Sequence, residues 1–211
     1  MYELWTAQGS GGAVIEAALA LADAPARLID APPWEDGPHL EALHRLNPLG
    51  QVPALVLADG TVITESGAIA LLLAERHPEA GLAPAAGDPL RPTFLRWLFF
   101  INAGIYALFR FEDRPERLVS SAQSQAEARD RLAETRKAML RQLDAAAGAP
   151  WFLGKQRTLL DLYIAVMRHW RPRRTWFDAH CPALAALARR VESDPRLAPV
   201  FDRHFGDQSA P

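Results

Sequence analysis

Cysteine is almost absent from this chain of 211 residues; Cys181 is the only one. A lone thiol excludes an intramolecular disulfide and a C-x-x-C redox pair, and it suits a reducing compartment. The six histidines are scattered without the spacing of metal ligands, so no metal site is expected. Neither sign of charge dominates: the net charge of -2 provides no global field for nucleic acid or an anionic membrane. Met1-Tyr2-Glu3-Leu4-Trp5 has no basic region followed by an apolar one. No signal peptide is therefore read there, and the cytoplasm is the expected location. Internal repeats are absent as well, and only the alanine-rich tracts lean towards low complexity.

What is present is the mix of a globular protein, 49% apolar and 23% charged, long enough for one large domain or two small ones. Glu3 to Thr6 reads as a short strand, stopped by Ala7-Gln8-Gly9-Ser10-Gly11-Gly12. A helix follows from about Ala13 to Asp23, with Ile15 and Leu19 on one face. Ala26 to Asp30 is a second strand, parallel to the first by strand–helix–strand logic. Ala31 to Pro38 contains three prolines and Trp34 and reads as a loop. A short helix, Leu40 to Leu46, ends at Asn47-Pro48. After a hairpin and one more helix the order is βαβα-ββα, a three-layer unit with a mixed sheet over residues 1–77.

Residues 78–89 hold Pro78, Gly81, Pro84, Gly87 and Pro89 without apolar periodicity, as a linker does. Beyond it the strand signals vanish and residues 90–211 read as helical. Leu90 to about Arg110 is apolar on more than one face, which fits a central bundle helix, the wall of an apolar pocket or a dimer seam. Its uninterrupted apolar run is under about 20 residues and contains Arg96 and Asn102, which argues against a membrane span. A second helix runs from about Ser120 to Ala147, with Leu132, Met139, Leu140 and Leu143 inward. A third begins at Thr158, where Thr158 and Asp161 have the spacing of a capping box. Two short helices follow, near Pro182–Ser193 and Arg196–His204. The run Arg168-His169-Trp170-Arg171-Pro172-Arg173-Arg174 mixes cations with an aromatic ring, but the cations suit a helix C-terminus better than nucleic acid.

The stretch Asn47-Pro48-Leu49-Gly50-Gln51-Val52-Pro53-Ala54-Leu55, with the turn Asp59-Gly60 and then Thr64-Glu65-Ser66-Gly67-Ala68-Ile69, carries the functional signal. Asp-Gly between apolar runs marks a hairpin. Pro53 heads a strand, and a cis bond there would present Val52 as an edge open to an extended peptide; a plain edge-strand proline fits the residues equally. Ser66 opens a helix whose free amides suit a carboxylate, with Glu65 placed for an ammonium group, although a simple capping serine reads the same way.

Together these motifs and the Thr158–Asp161 box resemble the cytosolic glutathione transferase family, with features of its bacterial, beta-like branch, along essentially the whole chain. The resemblance implies an α+β protein: a thioredoxin-like N-terminal domain with a cis proline at Pro53, followed by an all-α helical bundle. It implies that Val52 pairs with the cysteinyl unit of glutathione, that Glu65 and Ser66 hold the γ-glutamyl head, and that Gln51 reaches the glycyl end. The family often has lysine where Gln51 stands, so a neutral hydrogen bond would replace a charge pair. It also implies a homodimer, an electrophilic and apolar small-molecule co-substrate, and no metal.

The chemistry needs a donor to the thiol after the first strand. Lowering a thiol pKa from about 8.5 by two units takes about 2.7 kcal/mol. One charge-assisted hydrogen bond of about 1.5–3 kcal/mol, with helix-terminal amides, is enough. Ser10 is the expected catalytic donor and Thr6 the alternative; Ser10 serves equally as a helix cap. The beta-like branch has cysteine near this place, and serine argues against a mixed disulfide with the protein. Tyr106 stands near that branch's histidine, and Asn102 lies one turn before it; both are candidate substrate contacts. The rival functions are an inactive glutathione-fold binding or assembly module and a glutathione-dependent reductase or isomerase.

Overall fold

β1 (Tyr2–Thr6) is an inner strand because both of its neighbours form as the sequence suggests. β2 (Ala26–Asp30) lies parallel to it, with Tyr2 opposite Ala26 and Thr6 opposite Asp30. β3 (Ala54–Val56) runs antiparallel on its other side, and β4 (Val62–Thr64) completes the order β2-β1-β3-β4. The hairpin turns where Asp59-Gly60 stands: the Asp59 carboxylate accepts from the Thr61 amide at 2.9 Å, and Gly60 takes φ +85°. Only glycine adopts that conformation freely. The computed structural model describes residues 1–206; residues 207–211, the end of the expected helical segment, lie outside the described residues.

Three helices join these strands: α1 (Gly12–Leu21), α2 (Pro38–Leu46) and α3 (Ser66–Arg76). This is the expected βαβα-ββα order of a thioredoxin-like unit, and among the described residues every regular element after it is helical. The long helix splits into α4 (Arg91–Phe99), a π-helical segment (Phe100–Tyr106) and α5 (Ala107–Asp113). Then come α6 (Ala122–Ala146), α7 (Leu159–Met167), α8 (Arg173–His180), α9 (Pro182–Glu192) and α10 (Ala198–Phe205).

Four features depart from the sequence reading. First, α1 is not one-faced: Val14, Ile15, Ala17 and Ala18 are all fully buried, because the sheet unit covers one side and α7 and α10 cover the other. Secondly, the helix expected over residues 90–110 runs on to Asp113, 23 residues in all, long and apolar enough by length and composition to cross a membrane. Phe94, Trp97, Leu98, Ile101 and Ile105 on it are nevertheless buried in the core. Its middle winds as a π-helix, whose wider turn re-aims the residues that follow. Thirdly, α8 was not legible, because only Trp176 and Phe177 give it an apolar side. Finally, of the basic run Arg168 does cap the C-terminus of α7, whereas Arg173 and Arg174 open α8, and Arg168 and Arg171 engage carboxylates. Arg168 is 8% exposed, reaches Asp178 at 2.8 Å and Glu192 at 3.2 Å, and Arg171 pairs with Asp113 and Glu112.

α7 is the centre of the helical domain, with every residue buried. Its start is fixed by Asp161, whose carboxylate accepts from the Thr158 amide at 2.6 Å and the Phe152 amide at 2.8 Å. Burial raises the Asp161 pKa to about 6 against the pull of those amides.

Candidate active site

Around Ser10 and Ser66, where the sheet unit meets the helical domain, three cavities adjoin. The middle one, about 260 Å³, is lined by Ser10, Gly11, Gln51, Val52, Pro53, Glu65, Ser66 and Tyr106. Three separate chain segments, the β1–α1 turn, the approach to β3 and the start of α3, thus converge on one space. The Val52–Pro53 peptide is cis. The loop before it is braced by buried Asn47, which donates to the Gln51 carbonyl at 2.9 Å and accepts from the Leu49 amide at 3.2 Å.

Ser10 Oγ accepts from the Gly12 amide at 3.1 Å and from the Ala7 amide at 3.3 Å. Both acceptor positions of the hydroxyl are occupied, and its proton is what it has left to offer. The capping role and a donor role are therefore compatible. Thr6 stands differently. Its hydroxyl is buried without a partner under the first turn of α1, where a side chain on Gly12 would collide with it, and it lines none of the three cavities.

Glu65 sits at the N-cap of α3 with φ +66°, a conformation costing of order 1–3 kcal/mol in a non-glycine residue and concentrated at ligand sites. Ser66 Oγ donates to Asn102 Oδ1 at 3.0 Å, and Asn102 Nδ2 donates to the Leu98 carbonyl at 2.9 Å. Asn102 therefore stands behind Ser66 and lines the second cavity rather than the first. That second cavity, about 500 Å³, lies between α3 and the helix from α4 to α5, with Leu71, Phe99 and Arg110 among its walls.

Tyr106 faces both of these cavities. Its hydroxyl is buried without a hydrogen-bond partner, and burial together with neighbouring Tyr163 pushes the phenol well above its ordinary pKa. It is a neutral donor. Its ring lies against Gly11 and 5.0 Å from the Trp170 ring. On the far side of Ser10 a third cavity of about 370 Å³ is walled by Trp34, Phe109 and Trp170, with Asp113 and Arg171 at hand.

Trp34 and Trp170 were not placed at a site from sequence. Trp34 lies in a proline loop and Trp170 in a basic run, and no periodicity ties either to Ser10. The only hint was an aromatic ring in a segment with no apolar stripe to bury it.

A thioredoxin-like sheet with a cis proline and a helix start facing one cavity, followed by a helical domain, is the architecture of glutathione transferases. A family model described as the glutathione S-transferase N-terminal domain matches residues 14–76. The GST-like protein YncG of Escherichia coli strain K12 is 35% identical over 97% of this chain and 98% of its own length. A sphingomonad glutathione S-transferase, solved in complex with glutathione, is 27% identical, with a TM-score of 0.77, covering 99% of this chain and 100% of that one. A glutathione transferase homologue from Sulfitobacter, solved with bound glutathione, shares the fold at a TM-score of 0.85 and 23% identity, over 96% of this chain and 97% of its own. The chain belongs to the glutathione S-transferase family.

Proposed function

We propose that the protein is a glutathione transferase that adds the glutathione thiolate to an apolar electrophile. The observation that carries this reading is the convergence of Ser10, Val52–Pro53 and Glu65–Ser66 on one cavity. Glutathione lies extended along Val52, with its γ-glutamyl carboxylate at Ser66 and the first amides of α3 and its ammonium at Glu65. Gln51 receives the glycyl end. Ser10 donates to the thiolate, and the neutral Tyr106 hydroxyl becomes a second donor once its ring turns from the interior towards the sulfur. The electrophile takes the third cavity, which shares Ser10, Gly11 and its aromatic walls Trp34, Phe109 and Trp170 with the glutathione site. That the sphingomonad relative is solved in complex with glutathione supports this ligand.

Ser66→Ala is expected to weaken glutathione binding by about 1–3 kcal/mol in calorimetry, since the carboxylate loses the hydroxyl that turns from Asn102 to donate to it. Unchanged affinity would remove the α3 start from the site.

One observation favours a second reading. Both acceptor positions of Ser10 already serve the backbone, as in a purely structural turn, and this suits a glutathione-binding module without catalysis. The thiol pKa of the bound ligand separates the two.

We also infer a homodimer built on the second cavity's face, where Phe99 is 60% exposed beside Leu71. A two-fold interface there should bury more than about 1,200 Å² in total. Light scattering at tens of micromolar should give twice the chain mass; a monomer at every concentration would contradict it.

A further inference from the structure

Gly9, immediately before Ser10, is held from both sides by side chains of the helical domain. Its N–H donates to His204 Nδ1 on α10 at 3.1 Å, and its carbonyl accepts from Trp170 Nε1–H at 2.8 Å. The two partners come from distant points of the chain, 195 and 161 residues away. Gly9 has φ +72°, so the Ala7–Ser10 turn is closed around the residue type with the greatest backbone freedom. The N–H belongs to the peptide plane before Gly9 and the carbonyl to the plane after it. Pinning both planes fixes both dihedral angles.

The bonds inside the turn do something different. The Ser10 amide donates to the Ala7 carbonyl at 3.1 Å, and Ser10 Oγ accepts from the Ala7 and Gly12 amides. They tie the hydroxyl to the ends of the turn, and neither polar group of Gly9 takes part in them. The bond to the Gly9 carbonyl ties this turn to Trp170, whose ring stands against Gly11 and lies 5.0 and 5.1 Å from the rings of Tyr106 and Phe109.

The clamp groups are themselves held. His204 is 2% exposed, and its Nε2 lies 3.0 Å from Glu16 Oε2 on α1. A backbone N–H can only donate, so Nδ1 accepts and the ring proton sits on Nε2, towards Glu16. Burial and neighbouring Arg203 lower the His204 pKa to about 4, with Asp30 opposing, and the imidazole stays a neutral acceptor at neutral pH.

We propose that Trp170 and His204 are positioning residues for the thiolate donor, their two bonds to Gly9 holding the Ser10 hydroxyl in hydrogen-bonding register with a bound sulfur. This rests on the reading of Ser10 given above. A charge-assisted bond is short and directional, and a turn free to rotate about Gly9 spends part of its time with the hydroxyl aimed elsewhere.

The test uses the full chain and its glutathione complex. Trp170→Phe keeps an aromatic ring in the wall while removing the N–H and part of the ring. His204→Phe keeps a ring and removes the acceptor, whereas His204→Asn returns a side-chain oxygen near the Nδ1 position. Thiolate absorbance of bound glutathione is titrated for each variant, and kcat and KM are measured with an aromatic electrophile. Trp170→Phe and His204→Phe should each raise the bound thiol pKa by about one unit and lower kcat roughly tenfold. Glutathione affinity at a pH where the thiol is neutral should change less than about twofold, and His204→Asn should return most of the shift. A bound thiol pKa at the wild-type value in a folded Trp170→Phe protein overturns the proposal even if His204→Phe fails to fold. His204→Asn behaving like His204→Phe would overturn the part assigned to His204. If the wild-type complex shows no pKa depression, the transferase reading fails and this inference fails with it. Depression in the wild type with no change in the variants removes the clamp alone.

Discussion

Ser10→Ala is expected to lower turnover with an aromatic electrophile by about 10–100-fold. The hydroxyl gives the thiolate a charge-assisted bond of about 1.5–3 kcal/mol, and each 1.36 kcal/mol lost from the transition state is a factor of ten. The substitution also removes the oxygen that accepts from the Ala7 and Gly12 amides, so a fall in stability of about 1 kcal/mol should accompany it. Two controls separate these effects. Ser10→Thr keeps a hydroxyl able to serve both roles and should recover most of the activity. Glutathione affinity measured at low pH, where the thiol is neutral in every variant, should be nearly unchanged by Ser10→Ala. A variant that stays folded and turns over at the wild-type rate would take Ser10 out of the chemistry and leave Tyr106 as the donor to test next.

The largest stability effect is expected at Arg136. This α6 side chain is 1% exposed and donates to both carboxylate oxygens of Glu112, itself 8% exposed. Its guanidinium stands over Phe109, 4.6 Å from the ring centroid, directly behind the aromatic cavity. Burial and the nearby Arg171 lower the Arg136 pKa to about 10, which still leaves it a cation at neutral pH. Arg136→Met strands the Glu112 carboxylate in the interior, which costs about 3–5 kcal/mol for a buried pair. Arg171 remains 3.3 Å from Glu112 and places the effect towards the lower end. For a chain of this size that is a fall in Tm of roughly 6–15 °C. The double variant Arg136→Met with Glu112→Leu should recover most of the loss, because the penalty belongs to the orphaned charge and not to the missing contact. A double variant as unstable as the single one in denaturant unfolding would show that Arg136 acts through packing on Phe109 instead.

Local signals account for the parts of the molecule that were legible in its sequence. Asp59-Gly60 defines its hairpin because the tight turn between β3 and β4 needs a residue at positive φ, which Gly60 supplies. Thr158 and Asp161 mark the start of α7 because a helix must satisfy its first amides nearby. Pro53, Glu65 and Ser66 lie close in sequence, so their meeting at one cavity follows from one hairpin and one helix start. Distance in the chain hid the rest. Trp34 and Trp170 meet at Ser10 only once the helical domain has folded against the sheet unit. Gly9 shows nothing of its two partners until α10 is in place. Arg136 reads as one more outward charge on α6, since nothing near it announces that Glu112 will be buried against it. The π-helical turn is silent too, because Phe100 to Tyr106 has the same composition as an ordinary apolar helix, and only its packing decides the pitch.

The most direct measurement is an ultraviolet titration of thiolate absorbance in the complex of the unmodified protein with glutathione. Free glutathione serves as the reference, at a thiol pKa of about 8.5. A site built from Ser10, Tyr106 and the amides beside Gly11 should bring the bound thiol at least one unit lower, with absorbance already present at neutral pH. A bound thiol that titrates with the free one, in a complex that calorimetry shows to be saturated, would contradict the transferase mechanism and leave a protein that binds glutathione without activating it.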